Sequence, residues 1–397
     1  MLLLAIFPLL KYYALTVSLP FSIGEVLLLL FSVYVLSRFN AKKVWHFPKH
    51  YVTYWAYCAV IVFITSGVKV SYLLPGGFSM CMFSLWFATF AFVFDEDYLL
   101  RFFRNMFIPL AVFFVIQEIS FRATGTRITW HLPIASETAY YGGLTFEQLE
   151  SVQAWGERSS SLFMEPAYFA EYLLLHLCLE FFGEEGRNKL FNKYIIAIVL
   201  VLLLLKSGTG LVGLAFLGTL KLISYNKTQK SWKSRALTLV LLPALYIGAT
   251  YYVSTEIGSG MLKRQNELTD QSGSSYERIF RGLELYDAMP FPNKIIGIDS
   301  STFRETSNYN GVETLKEGML FNGFQTVLIT KGLLGLLLLF AVYVPIYRRS
   351  NILTKSSLGL LLLLSWIESV YLMPAMLILT LIAFEEKKQY ARIKEII

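Results

Sequence analysis

The sequence is dominated by apolar runs that are long enough to cross a lipid bilayer as helices. Roughly 18 consecutive apolar residues are needed to cross about 30 Å of hydrocarbon. Such runs, several completed by flanking residues, lie near 1–19, 21–37, 51–66, 75–94, 106–120, 162–182, 194–205, 208–224, 236–253, 319–345 and 357–384. Only 16% of the residues are charged, against roughly 25% in a soluble domain. We therefore predict an all-α polytopic integral membrane protein, with 1–397 forming a single membrane domain.

Basic residues divide the predicted loops into two alternating sets. Lys and Arg collect in cytoplasmic loops. The basic connections lie at 38–49, 101–104, 187–193, 221–235, 348–355 and 387–394. All of them are cytoplasmic only if 357–384 is a hairpin and not one tilted span, so we predict about twelve spans with both termini cytoplasmic. The net charge of +7 then reports orientation, and no nucleic-acid partner is predicted.

Two long connections are predicted to face outward, 121–161 and the large loop 254–318 between two late spans. The large loop is rich in polar residues and lacks an apolar run long enough to span. A stretch of this length without regular structure is usually functional or disordered. Both loops are therefore candidate sites of function.

Signatures of metal and nucleotide sites are absent from the sequence. There is no HExxH and no GxxxxGK[ST], and the four His residues are scattered, so we predict no metal and no cofactor. Asp95-Glu96-Asp97 is similar to a metal-binding acidic motif of nucleotide-sugar enzymes. It lies beside Arg101 and Arg104 on the predicted cytoplasmic side, and we interpret it as a solvated charge cluster.

Several ionisable residues fall near the predicted outer ends of the spans. Charged groups inside a membrane are costly and are functional candidates by default. The residues in question are Glu25, Glu118, Glu165, Lys206 and Glu368. Their one-sided distribution points to work at the outer surface; the alternative is that each side chain simply snorkels to water.

The stretch from Arg158 to Tyr172 is the most informative in the sequence. Three serines offer N-caps before a helix, and Pro166 is tolerated in a first turn. At about 100° per residue, Tyr168, Tyr172 and His176 fall within about 60° of Glu165 on the helical wheel. This polar stripe either lines a cavity or packs against a neighbouring helix.

A second stretch, Tyr276 to Gly282, lies in the large outer loop. Arg suits phosphate binding because its planar guanidinium donates two hydrogen bonds to one oxyanion. On a short helix, Arg278 and Arg281 would share one face. A solvated loop helix is the simpler interpretation of this stretch taken alone.

Four pieces of the sequence, taken in order, resemble a known family. They are Arg158…Phe163-x-Glu165-Pro166, the turn Ser207-Gly208-Thr209-Gly210, Arg278-x-x-x-Gly282 with Gly297 downstream, and Asn322…Gly332-x-x-Gly335. Their order across most of the chain resembles the Wzy-type polymerases of bacterial O-antigen, capsule and exopolysaccharide, and the related O-antigen ligases. Ligases similar to this family carry a functional His just before the Asn of the last piece, where this chain has Phe321. The resemblance thus favours a polymerase.

The resemblance implies a metal-independent glycosyltransferase with a GT-C-like helical fold in the bacterial inner membrane. Such an enzyme moves a growing glycan from undecaprenyl pyrophosphate onto the next lipid-linked repeat unit at the outer face. Its partners would be undecaprenyl-pyrophosphate-linked oligosaccharides, the lipid bilayer and a chain-length regulator protein.

The resemblance and the chemistry together suggest roles for individual residues. Fixed cations stabilise the charge that develops on a departing pyrophosphate, and Arg158, Arg278, Arg281 and Lys206 are candidates for this. A carboxylate with a raised pKa could accept the proton of the acceptor hydroxyl; Glu165 is the first choice and Asp299 the second. Tyr168, Tyr172 and Asn322 are candidate substrate-binding residues.

Two other classes of protein remain open at this stage. A lipid-linked oligosaccharide flippase or other transporter also has about a dozen spans, and inverted repeats with paired broken helices would favour it. The sequence shows neither feature. A structural or receptor-like membrane protein is the third alternative.

Overall fold

The computed structural model describes thirteen segments of the chain. They are 2–10, 13–14, 22–39, 49–65, 70–130, 137–138, 158–184, 189–229, 276–298, 308–309, 312–313, 321–367 and 378–382. These segments are almost entirely helical. Their contacts divide the chain into two compact units, Met1–Tyr34 with Val93–Met261 (unit 1) and Val35–Phe92 with Leu262–Ile397 (unit 2).

The regular elements follow one another with short two-residue strands between helices. The helices are α1 Leu2–Leu10, α2 Ile23–Arg38, α3 Lys49–Thr65, α4 Val70–Val93, α5 Glu96–Thr124, α6 Pro166–Phe182, α7 Lys193–Leu204, α8 Gly208–Gln229, α9 Gly282–Ala288, α10 Phe291–Ile296, α11 Gly323–Arg349 and α12 Ile352–Ile367. A π-helical turn, Glu277–Arg281, precedes α9 directly. Two antiparallel pairs join β1 Tyr13–Ala14 to β2 Glu137–Thr138, and β3 Asn308–Tyr309 to β4 Val312–Glu313.

Three of the described helices are long and apolar enough to cross a membrane. They cover Glu96–Thr124, Gly208–Lys227 and Gly323–Arg348, and shorter apolar helices cover Cys81–Val93, Lys193–Leu204 and Ile352–Ile367. The prediction of an all-α membrane-embedded protein is thereby confirmed. The number of spans and the side on which each loop lies stay predictions.

Helix α5 shows how the sequence encodes a membrane span. Asp95 caps its start by accepting a hydrogen bond from the backbone N–H of Tyr98 at 2.9 Å, and Glu96 and Asp97 complement the positive end of the helix dipole. Exposed Arg101 and Arg122 are separated by about 31 Å along the axis. The exposed side chains between them include Ile108, Val112, Val115, Ile116 and Ile119. These side chains, from Ile108 to Ile119, cover about 17 Å along the axis, and exposed Asn105 lies between them and Arg101.

Three sequence-based boundaries around α1 and α5 are wrong. Arg101 and Arg104 lie within the first turns of α5, not in a loop, because the helix starts immediately after Asp95. The first run, 1–19, is not one helix: α1 ends at Leu10, and Tyr13–Ala14 is extended because it pairs with Glu137–Thr138. The loop predicted from residue 121 begins only after Thr124, where Gly125 ends α5 with φ +75°.

Helix α6 forms the centre of unit 1. Every residue from Phe169 to Phe182 is buried. Helix α8 packs closely against it, since a Cβ on Gly210 would lie 3.1 Å from the Cβ of Ala170, and one on Gly213 would lie 2.3 Å from the Cδ1 of Leu174. Small residues allow this close approach of helices in membranes.

In unit 2, helix α11 is broken at Gly332. That residue has φ +66° and ψ −176°, a conformation that is essentially restricted to glycine. Helix α11 packs against α3, α9, α10 and α12. The predicted span 319–345 is therefore two helical halves. Whether 357–384 is a hairpin stays a prediction, because Glu368 and its neighbours lie outside the described residues.

Candidate functional site

The segment from Arg158 to Glu165 in unit 1 lies against the C-terminal half of α5, held by one buried amide. Gln117 accepts a hydrogen bond from the Ser161 N–H at 2.8 Å and donates to the Ser161 carbonyl at 3.2 Å. It also donates to the carbonyl of Ile128 at 3.0 Å. The Ser161 hydroxyl donates to the carbonyl of Leu110 at 2.7 Å. Non-helical backbone at membrane depth requires such partners within the protein.

A buried ionic group lies at the same end of α5. The Nε of Arg127 donates to the Ser159 hydroxyl at 2.8 Å, and that hydroxyl donates to Glu118 Oε1 at 2.6 Å. Arg127 is only 5% exposed, its guanidinium lies 3.8 Å from Glu118 Oε1, and it covers the ring of Phe121. Burial lowers the pKa of Arg127 whereas Glu118 raises it. The group fixes the backbone next to Arg158.

The structure brings Arg158 and Lys206 together. Arg158 donates through Nη1 to the carbonyl of Lys206 at 3.4 Å. Lys206 adopts a left-handed conformation with φ +54°, and it lies in the turn between α7 and α8. The predicted turn Ser207–Gly210 lies partly in a helix, because α8 already begins at Gly208. Ser207 is buried, and its hydroxyl accepts from the N–H of Gly210 at 3.4 Å.

Glu165 occupies the N-cap of α6, and Pro166 occupies the first helical position as predicted. The carboxylate of Glu165 does not cap the helix. The prediction that serines 159–161 cap α6 is wrong, because their hydroxyls bind Glu118, the Phe163 carbonyl and the Leu110 carbonyl instead.

Two residues of the polar stripe of α6 pack against aromatic side chains of α5 and of neighbouring segments. Tyr172 is 1% exposed, and its ring centroid lies 4.8 Å from that of Phe103 and 5.4 Å from that of Phe163. His176 stacks on Phe103 at 5.6 Å. Packing is therefore the alternative that holds for these two residues. Tyr168 is half-buried in the first turn of α6.

A second buried ionic group occupies the opposite end of α6. Arg104 forms a bidentate pair with Glu180, at 2.5 Å from Nε to Oε1 and 2.9 Å from Nη2 to Oε2. Asn192 donates to Glu180 Oε2 at 2.8 Å, and His176 lies 3.3 Å from Oε1. Because every oxygen of the carboxylate is engaged, we interpret this group as structural.

In unit 2, the Arg278–Gly282 piece packs on the start of α11. Gln325 donates to the carbonyl of Ile279 at 2.7 Å, and a Cβ on Gly282 would lie 2.6 Å from the side chain of Gln325. Asn322 is 3% exposed, and its side chain accepts from the Gln325 N–H at 2.8 Å as the cap of α11. The conformation of Asn322 thus has a structural cause independent of any substrate.

Arg281 is the candidate cation of unit 2 whose side chain the structure describes. It donates to Glu284 Oε2 at 3.3 Å, and Glu284 also accepts a hydrogen bond from Tyr276. Its buried Nε has no hydrogen-bond partner among the described residues. A buried donor of this kind is normally satisfied by a water or a bound group. The side chain of Arg278 and the whole of Asp299 lie outside the described residues.

The pieces that contain Gly297 and Gly332 also meet in unit 2. A Cβ on Gly297 would lie 2.4 Å from the backbone nitrogen of Lys331, and one on Gly332 would lie 2.2 Å from the carbonyl oxygen of Ile295. Tyr57 of α3 donates to the carbonyl of Lys331 at 2.8 Å and to that of Ile296 at 3.2 Å. Both glycines are required by these contacts.

Residue patterns gave no signal for several groups that build these sites. Gln117 and Tyr57 bind backbone carbonyls far away in sequence, and such contacts leave no local periodicity. The nearest available signal was the polar trio Gln117, Glu118 and Ser120 interrupting an apolar run. Among the described residues, no cluster of His, Cys, Asp or Glu is arranged to hold a metal ion.

Comparison with known proteins does not identify a family for this chain. The sequence matches no protein-family profile, and no curated protein matches it significantly.

Proposed function

We propose that this chain is a polysaccharide polymerase of the bacterial inner membrane, which transfers a growing glycan from undecaprenyl pyrophosphate onto the next lipid-linked repeat unit. The carrying observation is the pairing of sequence pieces that lie far apart. The Arg158–Pro166 piece meets the turn at Lys206, just before α8, through Arg158. The Arg278–Gly282 piece meets Asn322–Gln325 through Gln325. Each pairing collects cations and polar groups at the end of membrane helices.

Within this proposal, cations do the electrostatic work. A departing pyrophosphate gains negative charge, and preorganised cations in a poorly hydrated site stabilise it. Arg158 and Lys206 would serve in unit 1, and Arg278 and Arg281 in unit 2. The unsatisfied buried Nε of Arg281 supports this role, because phosphate oxygens are the acceptors that a guanidinium prefers.

The proton of the acceptor hydroxyl needs a base within the proposed site. Glu165 is the candidate, since its carboxylate is half-buried at the start of α6 and is not used to cap the helix. Asp299 is the second candidate, and Tyr168 is the proposed sugar-stacking residue. The proposal also includes a GT-C-like arrangement of about twelve spans, cytoplasmic termini and a chain-length regulator as partner.

Two alanine variants test the arginines. We expect Arg158→Ala and Arg278→Ala to be as abundant as the parent protein but to abolish long-chain polysaccharide and leave single-repeat products. Arg122→Ala and Arg348→Ala are matched controls, because both arginines are exposed at helix ends, and they should keep the normal chain length. Normal chain length in the first pair would contradict the assignment.

Turnover by the purified protein tests the reaction itself. A defined undecaprenyl-pyrophosphate repeat unit should be converted into a ladder of longer products, equally with and without EDTA. If neither membranes containing the protein nor the purified protein formed such a ladder, the polymerase assignment would be refuted. Transfer of a preformed glycan to lipid A core, without a ladder, would indicate the ligase-like alternative.

A transporter of lipid-linked oligosaccharides is the second candidate, and the break in α11 is the observation that favours it. Broken helices near the midplane are typical of secondary transporters, and the sequence gave no sign of this one. Here the break is filled by Tyr57 and by the 295–298 backbone. The leaflet on which repeat units accumulate in a deletion strain separates the two: the cytoplasmic leaflet for a flippase, the outer leaflet for a polymerase.

A further inference from the structure

The segment Tyr276–Ile298 of the large loop runs down the side of α11. Its first contact is with Gln325, through the carbonyl of Ile279. Leu285, Met289 and Ile298 then form a buried apolar cluster with Ile329. At its end the N–H of Ile298 donates to the carbonyl of Ile329 at 2.9 Å.

The contacts along α11 give the depth to which the segment extends into the membrane. Helix α11 is one of the described helices that can cross a membrane. Gln325 and Lys331 are separated by about 9 Å along the axis, and Gly332 lies about 14 Å from Gly323. The segment therefore reaches a level close to the middle of about 30 Å of hydrocarbon.

Backbone carbonyls at the break in α11 have partners within the protein. The carbonyl of Ile329 accepts a hydrogen bond from the Ile298 N–H, and that of Lys331 accepts one from Tyr57. The ammonium of Lys294 lies 5.9 Å from the centre of the Tyr286 ring, and Tyr286 in turn donates to the carbonyl of Lys294. Irregular backbone within a bilayer has to meet this condition.

The other side of the segment is exposed and mostly apolar, with Asp287 as the exposed charged residue among its described side chains. Phe291 is 75% exposed, and Phe280 and Leu283 are each 42% exposed. Pro290 and Pro292 flank Phe291 and are also exposed. In water, such a surface would be unfavourable; against acyl chains it is the expected composition.

We propose that residues 276–298 form a re-entrant element, which enters the bilayer from the Gly323 end of α11 and presents Phe291 to lipid acyl chains. The element is thus an interaction surface for membrane lipid within a loop that the sequence places entirely in water. The proposal requires only that α11 crosses the membrane, and it holds whatever reaction the protein catalyses.

Fluorescence quenching at single cysteines tests the element. Cys58, Cys81 and Cys178 are free and would be replaced by alanine, after which Phe291→Cys is labelled with bimane and the protein is reconstituted in phosphatidylcholine vesicles. Ile119→Cys on the exposed apolar side of α5 is the lipid control, and Thr124→Cys at the end of α5 is the water control. We expect brominated acyl chains to quench position 291 as strongly as position 119, and iodide to quench it much less than position 124.

Each other outcome overturns the proposal. Strong quenching by iodide would put Phe291 in water, and protection from both quenchers would mean that protein covers it. Leu283→Cys is measured in parallel, so that a folding defect at position 291 does not decide the result. Weak quenching by bromolipid at both positions, in variants that elute as a single species, would refute a re-entrant element.

Discussion

Single buried side chains hold the irregular backbone of this protein, and Gln117 is the clearest case. Its amide makes three hydrogen bonds, two of them to the backbone of Ser161. Each buried backbone group that loses its partner costs roughly 1–3 kcal/mol. The position of Arg158 thus depends on a residue that has no role in binding.

Gln117→Ala should lower the thermal stability of the detergent-purified protein by several degrees, because it leaves the backbone of Ser161 and the carbonyl of Ile128 without partners. Asn105→Ala is the control, since Asn105 is exposed on the same helix. The midpoint temperature can be measured by size-exclusion chromatography after heating. Equal midpoints for the two variants would show that water replaces the amide.

The ion pair between Arg104 and Glu180 gives a second prediction for single residues. Removing one partner of a buried pair costs roughly 3–5 kcal/mol, so Glu180→Gln should destabilise strongly, whereas Glu184→Gln at an exposed site should not. Arg104→Gln in the Glu180→Gln background should recover part of the loss, because no unpaired charge remains. A loss of stability in the double variant equal to the sum of the two single losses would contradict a direct coupling.

Helices show what the sequence can and cannot reveal. Apolar length predicted the existence of α5, α8 and α11, because this signal is local. The break in α11 was missed because its cause is the backbone of Ile295 and Gly297, which reaches Gly332 from a distant part of the chain. The aromatic packing of Tyr172 was left open for the same reason, since a helical wheel shows a face but not its neighbour.

Gly332→Ala should destabilise unit 2 by roughly 1–3 kcal/mol or more, because φ +66° with extended ψ is strained for any residue with a Cβ. The added Cβ would also meet the Ile295 carbonyl at 2.2 Å. Gly218→Ala in α8 is the control, with no atom within 4 Å of its Cβ. The midpoint temperatures of thermal unfolding of the two variants are compared. Equal values would mean that the backbone at residue 332 can change conformation without loss of stability.

At the scale of the whole molecule, orientation rests on the alternation of basic loops. We expect green fluorescent protein fused to the C-terminus to be fluorescent, because the C-terminus would lie in the cytoplasm. We expect alkaline phosphatase inserted between residues 261 and 270 to be active, because that loop would lie outside. A dark C-terminal fusion with active phosphatase at the C-terminus would mean an odd number of spans and would make 357–384 a single crossing.

The candidate site was only partly predictable at this scale. Arg158, Glu165 and Lys206 could be chosen because charged groups near the ends of apolar runs are rare. Arg127 was missed because it follows the run in an ordinary polar stretch, and only the fold buries it beside Glu118. Charge at a helix end is visible in a sequence, whereas burial of a loop residue is a property of the assembled unit.

The spacing of Arg101 and Arg122 on α5 has a consequence for the choice of membrane. Two exposed arginines about 31 Å apart bracket the apolar surface of this helix. A bilayer of different thickness would have to stretch, thin or tilt the helix, at a cost of fractions of a kcal/mol per Å of mismatch. Tilting α5 alone would strain the ion pair that joins its Arg104 to Glu180 of α6. The acyl-chain length of the surrounding bilayer is therefore a physical variable that should change the stability of this protein.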